Sequence, residues 1–235
     1  MSDARGTQHD ADPRPRFPAL PYVAPFAAFA LLLVAAPRLP IGQPWESLLR
    51  VAVLGVVTWY FARRVPEWAA PRRAAASVGL GLAVFALWVG PDLLFPGYRA
   101  GPLFQNGLTG KLATSLPAEA LRSPLVLALR TARAALLVPV IEELFWRAWL
   151  PRFVQDADFR RVPLGRYTPL AFWATALLFA SEHGPFWDVG LAAGVVYNWW
   201  MMRTRSLADL VIAHAVTNAA LCAYVIATGR WEYWL

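Results

Sequence analysis

The chain has 235 residues, of which 58% are hydrophobic and 16% charged, and its formal net charge is +7. Its apolar residues run in long blocks rather than amphipathic stripes, which excludes an ordinary soluble domain and points to a polytopic membrane protein. The basic excess is mostly arginine lying between those blocks, with no basic amphipathic run, so it reads as topology signalling and not as a nucleic-acid surface; a lone cysteine, Cys222, excludes an intrachain disulfide and a cysteine-based zinc cluster.

Residues 1–18 mix Asp, Arg, Gly and Pro without apolar periodicity and read as a flexible polar tail, with no clear cleavable signal peptide. Residues 19–235 read as one integral membrane domain. Its apolar segments fall at 19–37, 46–62, 75–93, 123–150, 169–183, 187–202 and 206–228. The expected fold class is therefore all-α, a polytopic transmembrane helix bundle of about seven helical segments with a short or broken fifth segment. From Pro169 to His183 there is only about 22 Å of helix against a hydrocarbon core of about 30 Å. Gly184 and Pro185 then stop it, and a backbone break at that depth is tolerated only inside protein or beside water.

With the N-terminus placed in the cytoplasm, 13 of the 22 Lys and Arg residues fall in cytoplasmic segments, 5 on the opposite side, and Arg50, Arg130, Arg133 and Arg147 within segments. The positive-inside rule predicts N-in and C-out in a bacterial-type inner membrane. Tyr197, Trp199 and Trp200 before Arg203, and Trp231, Tyr233 and Trp234 at the C-terminus, fit interfacial aromatic belts. The connection from Leu94 to Pro124, rich in Gly, Pro and Leu, has room for a short interfacial helix. Gly190 and Gly194, four apart, permit close helix approach. Ser206 and Asp209 form a helix start, which gives Asp209 a structural role.

Polar side chains intrude into three of the apolar segments, and intramembrane ionisable groups are a functional-site hypothesis by default. The first intrusion is Glu142-Glu143-Leu144-Phe145-Trp146-Arg147. Glu143 and Arg147 share a helix face and can pair, whereas Glu142, rotated about 100° from Glu143, is left free. A buried salt-bridged packing node is the structural alternative. Pro139, one turn earlier, predicts a bend. The second intrusion, Phe179 to His183, pairs an aromatic ring with an imidazole on one face, and Glu182 at the helix end reads as solvated. The third, His214 and Asn218, again has i, i+4 spacing, and interhelical hydrogen bonding is its plainer reading. Each pair alone favours packing, but Glu142, His183, His214 and Asn218 in three separate segments favour an active site. Under the proposed orientation Glu142 and His214 lie about 12 Å from a cytoplasmic helix end and His183 nearer 20 Å, so the fifth segment must start outside the core or tilt.

This set can run peptide hydrolysis. Glu142 in a low-dielectric cavity serves as general base with His183 orienting or deprotonating the same water, and His214 and Asn218 stabilise the oxyanion. Alternatively Glu142, His183 and His214 ligate a divalent metal such as zinc; there is no HExxH to force that version. A bis-histidine haem site on His183 and His214 is a third use of the same side chains.

Glu142-Glu143-xxx-Arg147, Phe179-xxx-His183 and His214-xxx-Asn218 resemble, in order, the EExxxR, FxxxH and HxxxN motifs of the CAAX-processing and bacteriocin-processing intramembrane proteases, which include the type II prenyl-protein endopeptidases. The resemblance covers about Val138 to the C-terminus, with the motif-bearing core at 123–228. The stretches 140–147 and 229–234 look most like the CAAX prenyl protease-related branch associated with exosortase systems. The resemblance implies an endopeptidase opening to the cytoplasm, with Glu142 as catalytic carboxylate, Glu143, Arg147 and Phe179 in support, and no cofactor required in the favoured, metal-free version. Its partners would be a membrane-associated protein or peptide substrate, the lipid bilayer and exosortase-system proteins. The alternative is a catalytically idle membrane scaffold or bacteriocin-immunity-type protein that keeps the fold.

Overall fold

The structure, a computed structural model, describes residues 17–234. The polar tail expected over 1–18 thus lies outside the described residues, apart from Phe17 and Pro18. Among the described residues there is no β-strand, and seven helices make the fold: α1 (Leu20–Ala35), α2 (Trp45–Ala62), α3 (Ala74–Leu94), α4 (Pro124–Gln155), α5 (Pro169–Ser181), α6 (Trp187–Thr204) and α7 (Leu207–Thr228). Five of these, α1 to α4 and α7, are long and apolar enough to cross a membrane, so the chain is a multi-pass helical membrane protein. Helix α5 has 13 residues. At about 20 Å it is too short to span, as its sequence predicts.

Local chemistry sets the helix ends. Ser123, Thr168 and Ser206 accept from the backbone N–H three residues on, at the starts of α4, α5 and α7, and Pro124 and Pro169 supply the first-turn residue that has no N–H to waste. Helix α7 stops at Gly229, whose φ of +70° carries the chain out through the left-handed region. Asp209 has the structural role expected of it. Its carboxylate accepts from the backbone N–H groups of Arg72 and Arg73, both at 2.8 Å, and so caps the start of α3 from α7.

Helices α3 and α7 run against each other with Gly81 at their closest point. A Cβ built there would sit 2.4 Å from the Ala213 carbonyl oxygen and 2.8 Å from Val216 Cβ, so only glycine permits this approach.

Helix α4 carries two widened turns instead of the single bend that Pro139 predicts. Arg133–Leu137 and Leu144–Trp149 are π-helical, and each lies just before a proline, Pro139 and Pro151. A proline ring in a helix collides with the carbonyl four residues back and offers no N–H, and widening the turn relieves both problems. Val138 N–H accordingly reaches the Arg133 carbonyl and Leu150 N–H the Phe145 carbonyl, five residues back. Glu142 and Glu143 close the short α-helical stretch between the two widened turns.

Two sets of aromatic side chains were expected at the membrane interface, and most of them turn inward instead. Tyr197, Trp200, Tyr233 and Trp234 are buried, while Trp199 is exposed. Trp200 donates its Nε1–H to Ser77 Oγ (3.1 Å), and Phe186 stacks on Tyr233 with centroids 5.0 Å apart. The connection between α3 and α4 contains only a 3-10 turn at Ala120–Arg122. It is anchored by Arg99, a buried guanidinium that donates to Asp92 (3.0 Å), to the Pro185 carbonyl (2.7 Å) and to both oxygens of Asp188. Burial alone would lower the Arg99 pKa, but hydrogen bonds to Asp188 and Asp92 outweigh it and the net direction is upward. Arg99 thereby ties the connection to the turn where α5 gives way to α6.

Candidate active site

Glu142, His183, His214 and Asn218, which the sequence places in three segments, line one cavity of about 240 Å³. Phe179 lines it too. Glu143 and Arg147 do not. Helix α4 runs five residues past its expected end at Leu150, to Gln155, which puts Glu142 about 20 Å from that end, close to the distance of His183 from the start of α5. This removes the depth mismatch between those two.

Glu143 is fully buried and pairs with Arg147 through Oε1 at 3.2 Å, as the i, i+4 spacing predicts. The same oxygen holds His214, whose Nδ1 donates across from α7 at 2.7 Å. With Nδ1–H committed to a carboxylate, His214 presents Nε2 on the other side, 3.9 Å from Glu142 Oε2. Among the described residues Glu142 Oε2 has no hydrogen-bond partner. The His214 ring stacks on Tyr197, with centroids 5.2 Å apart and planes at 30°, and Tyr197 donates to Thr217 Oγ1 at 2.7 Å. The imidazole is therefore fixed in rotation and in tautomer by two other helices.

His183 is fixed in the same manner. Its Nδ1 lies 2.6 Å from the Phe179 carbonyl oxygen, which can only accept, so Nδ1 is the protonated nitrogen and Nε2 keeps its lone pair. Trp88 and Phe179 pack on the ring, and a Cβ at Gly190 would lie 3.1 Å from it. The glycine spacing on α6 serves helix approach as expected, and Gly190 in addition makes the space in which His183 sits. Phe179 is the common packing surface of the site. The Arg147 guanidinium carbon stands 4.1 Å above its ring, and the rings of His183 and His214 lie 4.6 and 6.4 Å away.

Asn218 donates Nδ2–H to the Ala134 carbonyl at 2.8 Å. That carbonyl is orphaned by the helix around it. Val138, its α-helical partner, bonds to Arg133 instead, and Pro139, the partner one residue further on, has no N–H. One amide hydrogen of Asn218 is thus spent on α4, and the second remains for the cavity.

Three lining residues were not singled out from the sequence as part of a site. Glu182 lines the cavity with its side chain exposed, as its place at the helix end predicts, and Tyr197, expected at an interfacial belt, and Arg133, a charge inside a segment, line it too. The cavity extends as far as Arg130, Arg133, Tyr233 and Trp234, towards the ends of the bundle away from the arginine-rich turns after α2, α4 and α6. The cytoplasmic opening implied by the family resemblance and the N-in orientation from the charge count do not both fit this lining.

A metal was one of the options for Glu142, His183 and His214. Among the described residues no three His, Cys, Asp or Glu side chains come close enough together to hold a metal ion, so the ligand set does not fit in this geometry.

Residues 124–220 match the family model described as type II CAAX prenyl endopeptidase Rce1-like. The match contains Glu142, Glu143, Arg147, Phe179, His183, His214 and Asn218 and supports the CAAX-processing family read from the three motifs. Because that family is one of proteases, it also supports a CAAX protease-like enzyme. No curated protein and no solved structure matches the chain.

Proposed function

We propose that this protein is an intramembrane endopeptidase that hydrolyses a peptide bond of a membrane-associated protein or peptide with water activated by Glu142. The observation that carries the reading is the single cavity shared by Glu142, His183, His214 and Asn218, from which Glu143 and Arg147 are withdrawn by pairing with each other.

Glu142 takes a proton from the attacking water, and the same carboxyl later returns it to the leaving amine, so acid and base duties fall on one group. The attacking water is proposed to bind beside Glu142 Oε2 and His214 Nε2, which are 3.9 Å apart. The two cannot bond directly at that distance, but one water can reach both. His183, with its Nε2 lone pair free, is the second group able to orient that water. The tetrahedral oxyanion needs donors, and the second amide hydrogen of Asn218 is one. His214 becomes another when Nε2 carries a proton, its Nδ1–H staying on Glu143.

The substrate is proposed to come from an exosortase-type protein-sorting system, on the resemblance of 140–147 and 229–234 to that branch. The chain is proposed to sit in a bacterial-type cytoplasmic membrane, with its N-terminus inside and C-terminus outside. The test is a comparison of membrane-protein termini in cells carrying the wild type or Glu142→Ala. New C-termini that disappear with the carboxylate support the reading. Identical termini in both strains, with a cellular phenotype that survives Glu142→Ala and His214→Ala, leave an idle scaffold or immunity protein as the function.

A further inference from the structure

The proposed chemistry uses one end of the cavity and leaves unexplained the cations at the other. Arg130 and Arg133 on α4 line the same cavity as Glu142. They also line a small recess against α2 with Arg50 and Glu46. Glu46 is already bridged by Arg50 Nε at 3.0 Å and by Gln43 Nε2 at 2.6 Å. Arg130 donates to Ser115 Oγ at 3.2 Å and stands 5.0 Å over the Trp234 ring. The Arg133 side chain, half-buried within a membrane-spanning helix, makes no salt bridge or hydrogen bond among the described residues.

A guanidinium on an apolar helix without a bonded counter-ion is costly, and such groups normally face a partner or a water-filled path. The cavity therefore has a polarity. Glu142 and Glu182 lie towards one end, and Arg130 and Arg133 lie two to three helical turns away along α4. The rest of the lining is largely apolar and aromatic, including Leu33, Trp88 and Leu221. A bound chain with an anionic group at one end is oriented by this field, because the same group near the carboxylates would be repelled.

We infer that Arg133 is an anion-binding subsite that holds a carboxylate of the bound peptide and sets which way the chain lies across Glu142. The identity of the ligand rests on the proteolytic reading above, but anion binding needs no turnover and is measurable separately.

The experiment uses the full chain carrying Glu142→Gln to block turnover, in phosphatidylcholine nanodiscs. Three fluorescein-labelled octapeptide pools are titrated by anisotropy: one without Asp or Glu and with a free C-terminus, one without Asp or Glu and amidated, and one amidated but containing Asp and Glu. The expected result is binding about tenfold or more tighter for a carboxylate-bearing pool than for the uncharged pool, in line with a charge-assisted arginine contact. Which pool gains tells a terminal carboxylate from a side-chain one. Arg133→Gln removes the preference, and Arg133→Lys, melting at the same temperature, keeps most of it. Equal binding of all three pools, binding of none, or a preference that survives Arg133→Gln overturns the inference. It is also overturned if phosphatidylglycerol in the nanodiscs abolishes the preference, since the subsite then belongs to a lipid phosphate. Should the preference hold while the Glu142 enzyme cleaves nothing, the anion subsite stands and the protease reading falls.

Discussion

Replacing Glu143 by glutamine keeps its shape and removes one charge from a buried pair. Glu143 is 0% exposed and Arg147 2%, and Arg147 Nη1 lies 3.2 Å from Glu143 Oε1. At that separation, and with an effective dielectric of about 20, the attraction is about 5 kcal/mol before desolvation is counted. The guanidinium has little else to lean on, because its Nε and Nη2 have no hydrogen-bond partner among the described residues. Its stacking at 4.1 Å over Phe179 is worth about 1–2 kcal/mol and does not replace the lost charge. Glu143→Gln is therefore expected to cost about 3–5 kcal/mol, the usual penalty for stranding one member of a buried pair. Arg147→Met is expected to cost a similar amount, since it strands the carboxylate. The double variant removes both charges and recovers most of the loss, because neither charge is then left buried and unpaired. The 12 tryptophans supply the signal for thermal unfolding in nanodiscs. On the scale of about 2–4 °C per kcal/mol for a chain of this length, each single variant falls by about 6–20 °C. Single variants that melt within about 2 °C of the wild type, or a double variant whose loss is the sum of the two, would refute the pairing argument.

Four further outcomes follow from particular contacts. Asn218→Asp replaces the donor to the Ala134 carbonyl with an acceptor, and both Asp and Ala at this position are expected to lower the melting temperature, by about 1–3 kcal/mol of stability for the orphaned carbonyl, with Asp the worse. Gly81→Ala drives a methyl into the Ala213 carbonyl and parts α3 from α7; a loss of about 1–3 kcal/mol in the same melts is expected, and no change would contradict the close approach. Gly190→Ala presses on the His183 ring, so it should lower kcat more than it lowers stability. Arg99→Met leaves Asp92 and Asp188 without their shared cation, and limited proteolysis is expected to cut between residues 95 and 123 where the wild type resists.

The helical bundle was legible because apolar blocks of the right length have few alternatives in a bilayer, and the short fifth segment followed from counting residues between Thr168 and Gly184. The pairing of Glu143 with Arg147 was legible because both lie on one helix. What crosses between helices was not. The second bond of Glu143, to His214 Nδ1, joins residues 71 apart and depends on how α4 and α7 are rotated. The two π turns follow from Pro139 and Pro151, but a proline in a helix predicts a disturbance without saying whether the helix kinks or widens. Aromatic side chains near segment ends were read as anchors, yet composition does not tell which face of α6 carries Tyr197 inward. Arg99 was invisible for the opposite reason: it lies in a connection with no periodicity, and only its acidic partners on α3 and α6 give it a place.

The central claim, that Glu142 activates the water, is tested most directly with purified protein in nanodiscs and a peptide library, comparing cleavage by the wild type with Glu142→Gln. The amide cannot take the proton, so the account predicts a fall of about 10²-fold or more at an unchanged melting temperature. Cleavage at equal rates by the two proteins would contradict it.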